Sequence, residues 1–187
     1  MQEFDPAAHF GLFLNRNFLD AETCANLLAE VNSSPTTQAP VYIEGTEGSI
    51  HENVRKTTSL HPSNETTWDM WNRLFQQKPL LEEHFGMSLV DCERPQFLRY
   101  ERGDFFVRHQ DGNTHQLDFD HLRVRRISIV VFLNDRFSGG ALKFHDGETT
   151  FDLLGQPGLL VAFRADVFHE VIPVTSGERF TMITWFR

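Results

Sequence analysis

Two hydrophobic rhythms divide the chain. Between residues 20 and 91 the clearest apolar repeats fall at helical spacing; from Cys92 onward they alternate or cluster in short runs bounded by turn residues. Asp20-Ala-Glu-Thr opens the first helix, with Asp20 as its cap, Glu22 in the first turn, and Cys24, Leu27, Leu28 and Val31 on one face. Asn32 to Pro35 ends it. A second helix starts at Ser63 and is expected to set Trp68, Trp71, Leu74 and Phe75 on one face. Pro79 predicts a break before Leu80, and Gly86 a stop. Amphipathic helices of this kind bury one face against a sheet. Around them, His9 to Phe18 reads as a short strand or extended lead-in, Pro40 to Glu44 as a strand, Gly45 to Ser49 as a turn or loop, and Val54 to Leu60 as an edge strand.

Beyond Cys92 no further helix is expected. Strands are predicted at Pro95–Tyr100, Phe105–His109 and Val124–Asn134, the last dense enough in apolar residues to be buried on both faces. A turn follows over Asp135 to Gly140. Five more strands are predicted, at Ala141–His145, Thr149–Leu153, Gly158–Phe163, His169–Ile172 and Phe180–Phe186. Many short strands with glycine turns between them indicate a sandwich or closed barrel of the jelly-roll kind. The class is therefore α+β, mainly β: a double-stranded β-helix core over 92–187, with supporting helices and strands over 1–91 packed on its major sheet. The 187 residues fit one domain, without linker, repeat or low-complexity tract.

Composition narrows the picture in three ways. Phe 18 against Tyr 2 supplies apolar aromatic mass suited to a sandwich interior. The net charge of −9 argues against a general nucleic-acid grip, and the short Arg123, Arg125, Arg126 cluster reads as solvated charge at a strand start. Cys24 and Cys92 stand far apart, outside any metal or redox spacing, and read as reduced thiols. With no export-type N-terminus and no apolar run near the ~20 residues of a membrane helix, a cytoplasmic, membrane-free protein is expected.

Candidate chemistry centres on His109-Gln110-Asp111. In an extended strand residues two apart share a face, so His109 and Asp111 would point one way and Gln110 the other. A neutral imidazole beside a carboxylate suits a divalent metal. His169, opening a later strand after Val167-Phe168, would complete a two-His-one-carboxylate set that occupies one face of iron(II) and leaves the other open. A structural zinc site would close its shell, usually with cysteines this chain lacks. His51 and His61, isolated in polar segments, read as surface residues. Arg179, opening the last strand, has the fork geometry to grip a carboxylate, or is a surface arginine after a turn.

Taken in order, Tyr100-x-x-Gly103-x-x-Phe106-x-x-His109-x-Asp111, Phe132-Leu-Asn134, Ser138-Gly-Gly-Ala-Leu142, His169-Glu-Val and Gly177-x-Arg179 through Trp185 resemble the 2-oxoglutarate and iron(II)-dependent oxygenases, specifically the prolyl-4-hydroxylase-like branch. The resemblance covers roughly Pro95 to Arg187. It implies His109, Asp111 and His169 as iron ligands, Arg179 as partner of the distal carboxylate of 2-oxoglutarate, and Tyr100 as a cosubstrate-pocket residue. Phe132 stands where the hypoxia-sensing prolyl hydroxylases carry a second tyrosine, so one donor is lost, which Arg179 or Thr181 would offset. The implied reaction uses Fe(II), 2-oxoglutarate and O2, with ascorbate as a reductant, to hydroxylate an unactivated C–H bond and release succinate and CO2.

The resemblance leans towards a prolyl residue of a peptide or protein; free amino acids and small metabolites are the alternative substrates. The acidic composition favours a basic or neutral partner. Gly112 to His121, including Gly112 and Asn113, is a candidate lid, and the Gly45 to Asn53 loop with Arg55 a second substrate wall. His115, Asp118, Asp120 and His121 read as polar loop residues ahead of a second metal site. Two rivals remain: a cupin-like metalloenzyme needing no 2-oxo acid, against which Arg179 and Tyr100 speak, and a non-catalytic jelly-roll binding module, which would need no open iron face.

Overall fold

The structure, a computed structural model, describes residues 5–43, 46–112 and 120–187, the side chains of 42, 43, 46–48, 121 and 123 excepted. In chain order the N-terminal half holds α1 (Pro6–His9), β1 (Phe13–Asn15), α2 (Ala21–Ser33), β2 (Thr36–Gln38), β3 (Val41–Ile43), β4 (Thr46–Ser49), β5 (Arg55–Lys56), β6 (Thr58–Leu60), α3 (Asn64–Phe75) and α4 (Lys78–Phe85). The second half holds β7 (Gln96–Tyr100), β8 (Phe105–His109), α5 (Asp120–Arg123), β9 (Ile127–Phe132), β10 (Phe137–Gly139), β11 (Leu142–Asp146), β12 (Thr149–Leu153), β13 (Leu160–Arg164), β14 (Phe168–Val171), β15 (Val174–Gly177) and β16 (Arg179–Phe186).

A seven-stranded sheet, β1-β13-β9-β16-β7-β6-β2, faces a five-stranded sheet, β12-β11-β14-β8-β5. Two two-stranded pairs, β10-β15 and β3-β4, complete the strand inventory of the described residues. The larger sheet is apolar on both faces because each face has a cover. Ile127, Ile129 and Val131 of β9, with Phe180, Met182 and Phe186 of β16, pack against Leu27 and Val31 of α2, Met70 and Leu74 of α3 and Leu81 of α4. The alternate residues turn inward: Val130 and Phe132 meet Leu142, Phe144 and Phe163 between the sheets. This two-faced burial explains why β9 and β16 read as nearly continuous apolar runs.

The helices start and stop where their caps dictate. Asp20 accepts a hydrogen bond from Thr23 N at 2.7 Å, and Ser63 accepts one from Thr66 N at 3.2 Å. Pro79 sits in the first turn of α4, where its missing N–H costs nothing, and Gly86 closes that helix in the left-handed conformation at φ 61°.

Several expectations are corrected. The Gly45 to Ser49 segment carries β4, which pairs with β3, in place of a simple turn. The single strand expected over Val54 to Leu60 is two: β5 pairs with β8 in the smaller sheet and β6 with β7 in the larger, the chain crossing at Thr57. Thr57 Oγ1 donates to the Arg99 carbonyl at 2.7 Å there, so a buried hydroxyl anchors the crossing. On α3 the fully buried residues are Thr67, Met70 and Leu74; Trp68 is 52% exposed beside Arg94. The short strand expected within His9 to Phe18 is β1, preceded by the single turn α1; the short helix α5 follows Cys92 where none was expected, and the turn expected after Asn134 contains β10, paired with β15. Arg125, expected to be solvated, is 7% exposed; it grips Glu93 with two hydrogen bonds of 2.8 and 2.7 Å and lies 3.6 Å over the Trp185 ring. The cost of burying its charge is offset by that pairing.

Candidate active site

The two strands that carry the histidines are neighbours in the smaller sheet, where His169 of β14 is the register partner of His109 of β8. Antiparallel pairing therefore brings residues sixty positions apart side by side, with ring centroids 4.3 Å apart. Asp111 lies just past the end of β8. Its backbone N–H donates to the Ala165 carbonyl at 2.9 Å, and its Oδ2 accepts from Ser128 Oγ of β9 at 2.7 Å. Asp111 Oδ1 is 3.3 Å from His109 Nε2, and Oδ2 is 3.4 Å from His169 Nε2. One ligand atom from each residue fits within 4.8 Å of the others. Gln110, expected to point off the opposite face, lines the same cavity as His109 and Asp111, and its Nε2 donates to the Asp166 carbonyl.

Both imidazoles are oriented by the backbone two residues earlier. His109 Nδ1 lies 2.8 Å from the Val107 carbonyl and His169 Nδ1 2.9 Å from the Val167 carbonyl. A carbonyl only accepts, so each Nδ1 carries a proton and each ring turns its Nε2 towards Asp111. Phe106 stacks on the His109 ring at 3.6 Å between centroids, and Phe163 meets His169 edge-on at 4.7 Å. Burial and the neighbouring His169 push His109 below its ordinary pKa. Burial works against the Asp111 charge, but His169 and His109 hold its carboxyl well below the usual range. Burial likewise opposes the His169 charge, and Asp111 more than offsets it, so His169 is held above its ordinary value.

The same cavity, of about 380 Å³, extends from this triad to Arg179. The inward face of β16 supplies Arg179, Thr181, Ile183 and Trp185 to its wall. Arg179 pairs in register with Tyr100 of β7, and Thr181 with Phe132 of β9. The guanidinium carbon is 5.0 Å from each of the Tyr100 and Phe132 rings, and Nη1 donates to Thr181 Oγ1 at 3.3 Å. Nε and Nη2 of Arg179 find no partner among the described residues, although the side chain is 1% exposed. Burial pushes its pKa down to about 10, which leaves it charged at neutral pH. A buried cation with one edge open needs an anion to complete it.

Residues 95–187 match the model of the 2OG-Fe(II) oxygenase superfamily. The chain belongs to that superfamily. A PKHD-type hydroxylase of Sphingopyxis alaskensis is 26% identical over 151 residues, which cover 78% of this chain and 67% of that protein. PKHD-type hydroxylases of Burkholderia lata and Burkholderia cenocepacia are 36% and 35% identical over 50% and 76% of this chain, which spans only 42% and 63% of their respective lengths. Among solved structures, a Pseudomonas putida prolyl-4-hydroxylase aligns with TM-score 0.72 and 25% identity, covering 97% of this chain and 94% of that one. A Trichoplax adhaerens prolyl hydroxylase in complex with a hypoxia inducible factor peptide fragment shares the fold, with TM-score 0.71, 14% identity and coverage of 96% and 84%.

For an oxygenase of this superfamily the donor set is apt. Two Nε2 lone pairs and a carboxylate can hold a divalent iron, and the open edge of Arg179 can hold a carboxylate in the same cavity. Of the other residues expected in the site, Tyr100, Phe132 and Thr181 surround Arg179. Arg55 of β5 lines the cavity. A Cβ on Gly112 would come within 2.5 Å of the Leu122 carbonyl and the Arg125 side chain, both from residues of the cavity wall, though Gly112 is not itself among the lining residues. Asn113 and most of the Gly112 to His121 lid lie outside the described residues. Sequence reasoning did not single out Ser128, which aims Asp111, or Glu93, which holds Arg125. A serine within an apolar run was the one signal for the former.

Proposed function

We propose that this chain is an Fe(II)- and 2-oxoglutarate-dependent dioxygenase that hydroxylates an unactivated C–H bond of a peptide or protein substrate, a prolyl residue being the substrate the comparisons favour. The observation that carries the reading is the shared cavity. It holds a His-Asp-His cluster and, apart from that cluster, the buried Arg179 with its Nε and Nη2 edge unpaired. The relative from Pseudomonas putida is a prolyl-4-hydroxylase, and the Trichoplax structure holds a peptide. Both support a peptide over a free metabolite. We take residues 1–187 as one oxygenase domain, since β1, β2 and β6 enter the larger sheet beside the C-terminal strands.

Bound iron(II), 2-oxoglutarate and O2 supply the oxidising power, with succinate and CO2 as by-products and ascorbate as an auxiliary reductant. The chain's own residues do the rest. His109, Asp111 and His169 hold the metal, and the Val107, Val167 and Ser128 hydrogen bonds keep their lone pairs aimed. Arg179 grips the distal carboxylate, with Thr181 fixing the guanidinium and Phe132 packing beside it. Phe106, Phe163 and Phe132 present ring carbons in place of easily oxidised polar groups and help to keep water from the reacting centre.

Incubation with Fe(II), 2-oxoglutarate and a proline-containing peptide library should release succinate and add one oxygen's mass to a subset of peptides. His109→Ala and Asp111→Ala should each abolish succinate release while the far-UV circular dichroism of the chain is kept. Succinate release that survived either substitution would overturn the ligand assignment.

A further inference from the structure

A second guanidinium lines the cavity and makes no ion pair among the described residues. Arg55, on the edge strand β5, is 8% exposed and lines the same cavity as the triad. Its Nη1 donates to the Pro40 carbonyl at 3.2 Å, which fixes the plane of the group. Its carbon lies 4.8 Å over the Phe106 ring, the ring that stacks in turn on His109. Arg55, Phe106 and His109 thus form a column leading to the metal-binding cluster. Nε and Nη2 of Arg55 have no hydrogen-bond partner among the described residues.

That edge has a specific meaning in this molecule. Arg125 uses Nε and Nη2 to clasp both oxygens of Glu93, and Arg164 uses the same pair to clasp both oxygens of Asp166. Nε and Nη2 form the side of the fork that matches a carboxylate, two parallel N–H groups to two oxygens. Arg179 and Arg55 both leave this side open within one cavity. A single 2-oxoglutarate that is chelated at the metal has one distal carboxylate to offer, and Arg179 takes it. A buried donor pair left unmade costs free energy, so the second open edge implies a second anion.

We propose that Arg55 is a specificity-determining residue that receives a carboxylate of the substrate, so the cavity accepts two carboxylates, one from the cosubstrate and one from the molecule being hydroxylated. The inference rests on the oxygenase reading and narrows it. Although the chain as a whole carries −9, its cavity selects an acidic substrate: a peptide with an aspartate or glutamate close to the target residue, or with the target close to a free C-terminus. Net charge governs long-range approach, whereas the buried guanidinium governs which substrate is retained. Arginine is suited to this role over lysine because Nη1 can hold Pro40 while the opposite edge binds both oxygens.

The test measures binding separately from turnover. Proline-containing tripeptides are prepared in matched pairs, Asp against Asn, Glu against Gln, and C-terminal acid against C-terminal amide. Their dissociation constants with the full chain are measured by ligand-observed NMR, for the parent, Arg55→Gln and Arg55→Lys. The acid member of at least one pair type should bind about tenfold or more tightly to the parent, and the pair type that responds tells a side-chain carboxylate from a terminal one. That ratio should fall to near one in Arg55→Gln and be partly kept in Arg55→Lys, which retains charge without the fork. Equal affinities within every pair, failure of every acidic peptide to bind, or a preference that persists in Arg55→Gln would each overturn the proposal. Succinate release with Fe(II) and 2-oxoglutarate is scored independently: its absence alongside an Arg55-dependent preference would count against the oxygenase reading and leave the subsite standing.

Discussion

Arg179 carries its charge into a wall where it is 1% exposed, and its one hydrogen bond among the described residues is to Thr181 Oγ1. In the unfolded chain the guanidinium keeps its proton far into the alkaline range; in the folded chain burial lowers its pKa to about 10. As pH falls towards 10 the unfolded chain already carries a proton that the folded chain does not, so folding is penalised, and the whole penalty persists at every lower pH. Its size is on the order of 3 kcal/mol. Arg179→Met keeps the length of the stem and removes the charge. The expected outcome is a ligand-free chain that melts several degrees higher, about 2–4 °C for each kcal/mol recovered, and whose Tm no longer responds to 2-oxoglutarate. A calorimetric scan with and without cosubstrate reads both; a variant less stable than its parent would show that the buried charge is not a cost. The chemistry of Arg179 was legible from its residue type and the strand it opens. Its burial was not, because exposure depends on which strands flank it.

At the scale of elements, the site depends on where strands enter and leave their sheets. Gly158 precedes β13 at φ 80°, its N–H donates to the Phe132 carbonyl at 2.9 Å, and its carbonyl accepts from Leu19 N at 3.3 Å. A Cβ at that position would come within 2.0 Å of the Leu19 carbonyl oxygen. Gly158→Ala should therefore cost about 2 kcal/mol or more, seen as a lower urea midpoint with unchanged slope. Gly147, at φ 58° in the β11–β12 turn, has nothing within 4 Å of its would-be Cβ, and Gly147→Ala should cost only about 1 kcal/mol. Similar costs at the two positions would refute the close approach of α2's entry to β13. The helices and most core strands were readable from period and caps. The crossing at Thr57 was not: β5 and β6 together span only five strand residues, too few for alternation to reveal that they belong to different sheets.

Across the whole molecule, two reduced thiols report on packing far from the cavity. Cys24 and Cys92 are both buried in the cluster between the helices and the larger sheet. Burial pushes both thiols up, Cys92 to about 12. From about pH 9 the unfolded chain loses thiol protons that the native chain keeps, so these groups contribute a loss of stability as pH rises from 9 towards 12. At pH 8 the native chain should be inert to a thiol-specific reagent, with two equivalents reacting on denaturation. Prompt native reaction would contradict the packing of α2 and of the segment before β7 on the sheet. The acidic net charge and the guanidinium-lined cavity likewise belong to this scale: one is a sum over residues, the other the result of which few are turned inward.

What the sequence alone determined about this protein is local. Residue period set the helices and the β-rich second half, caps and glycines set their ends, and His109-x-Asp111, His169 and Arg179 carried the chemistry in their residue types. The tertiary structure decided what depends on neighbours distant in sequence. Pairing of β8 with β14 puts His109 against His169, and Ser128 reaches Asp111 from another sheet. Glu93 pairs with Arg125, while Arg55 and Arg179 each keep an open edge. A charge is satisfied or left wanting only by the groups that surround it, and those are assembled by packing.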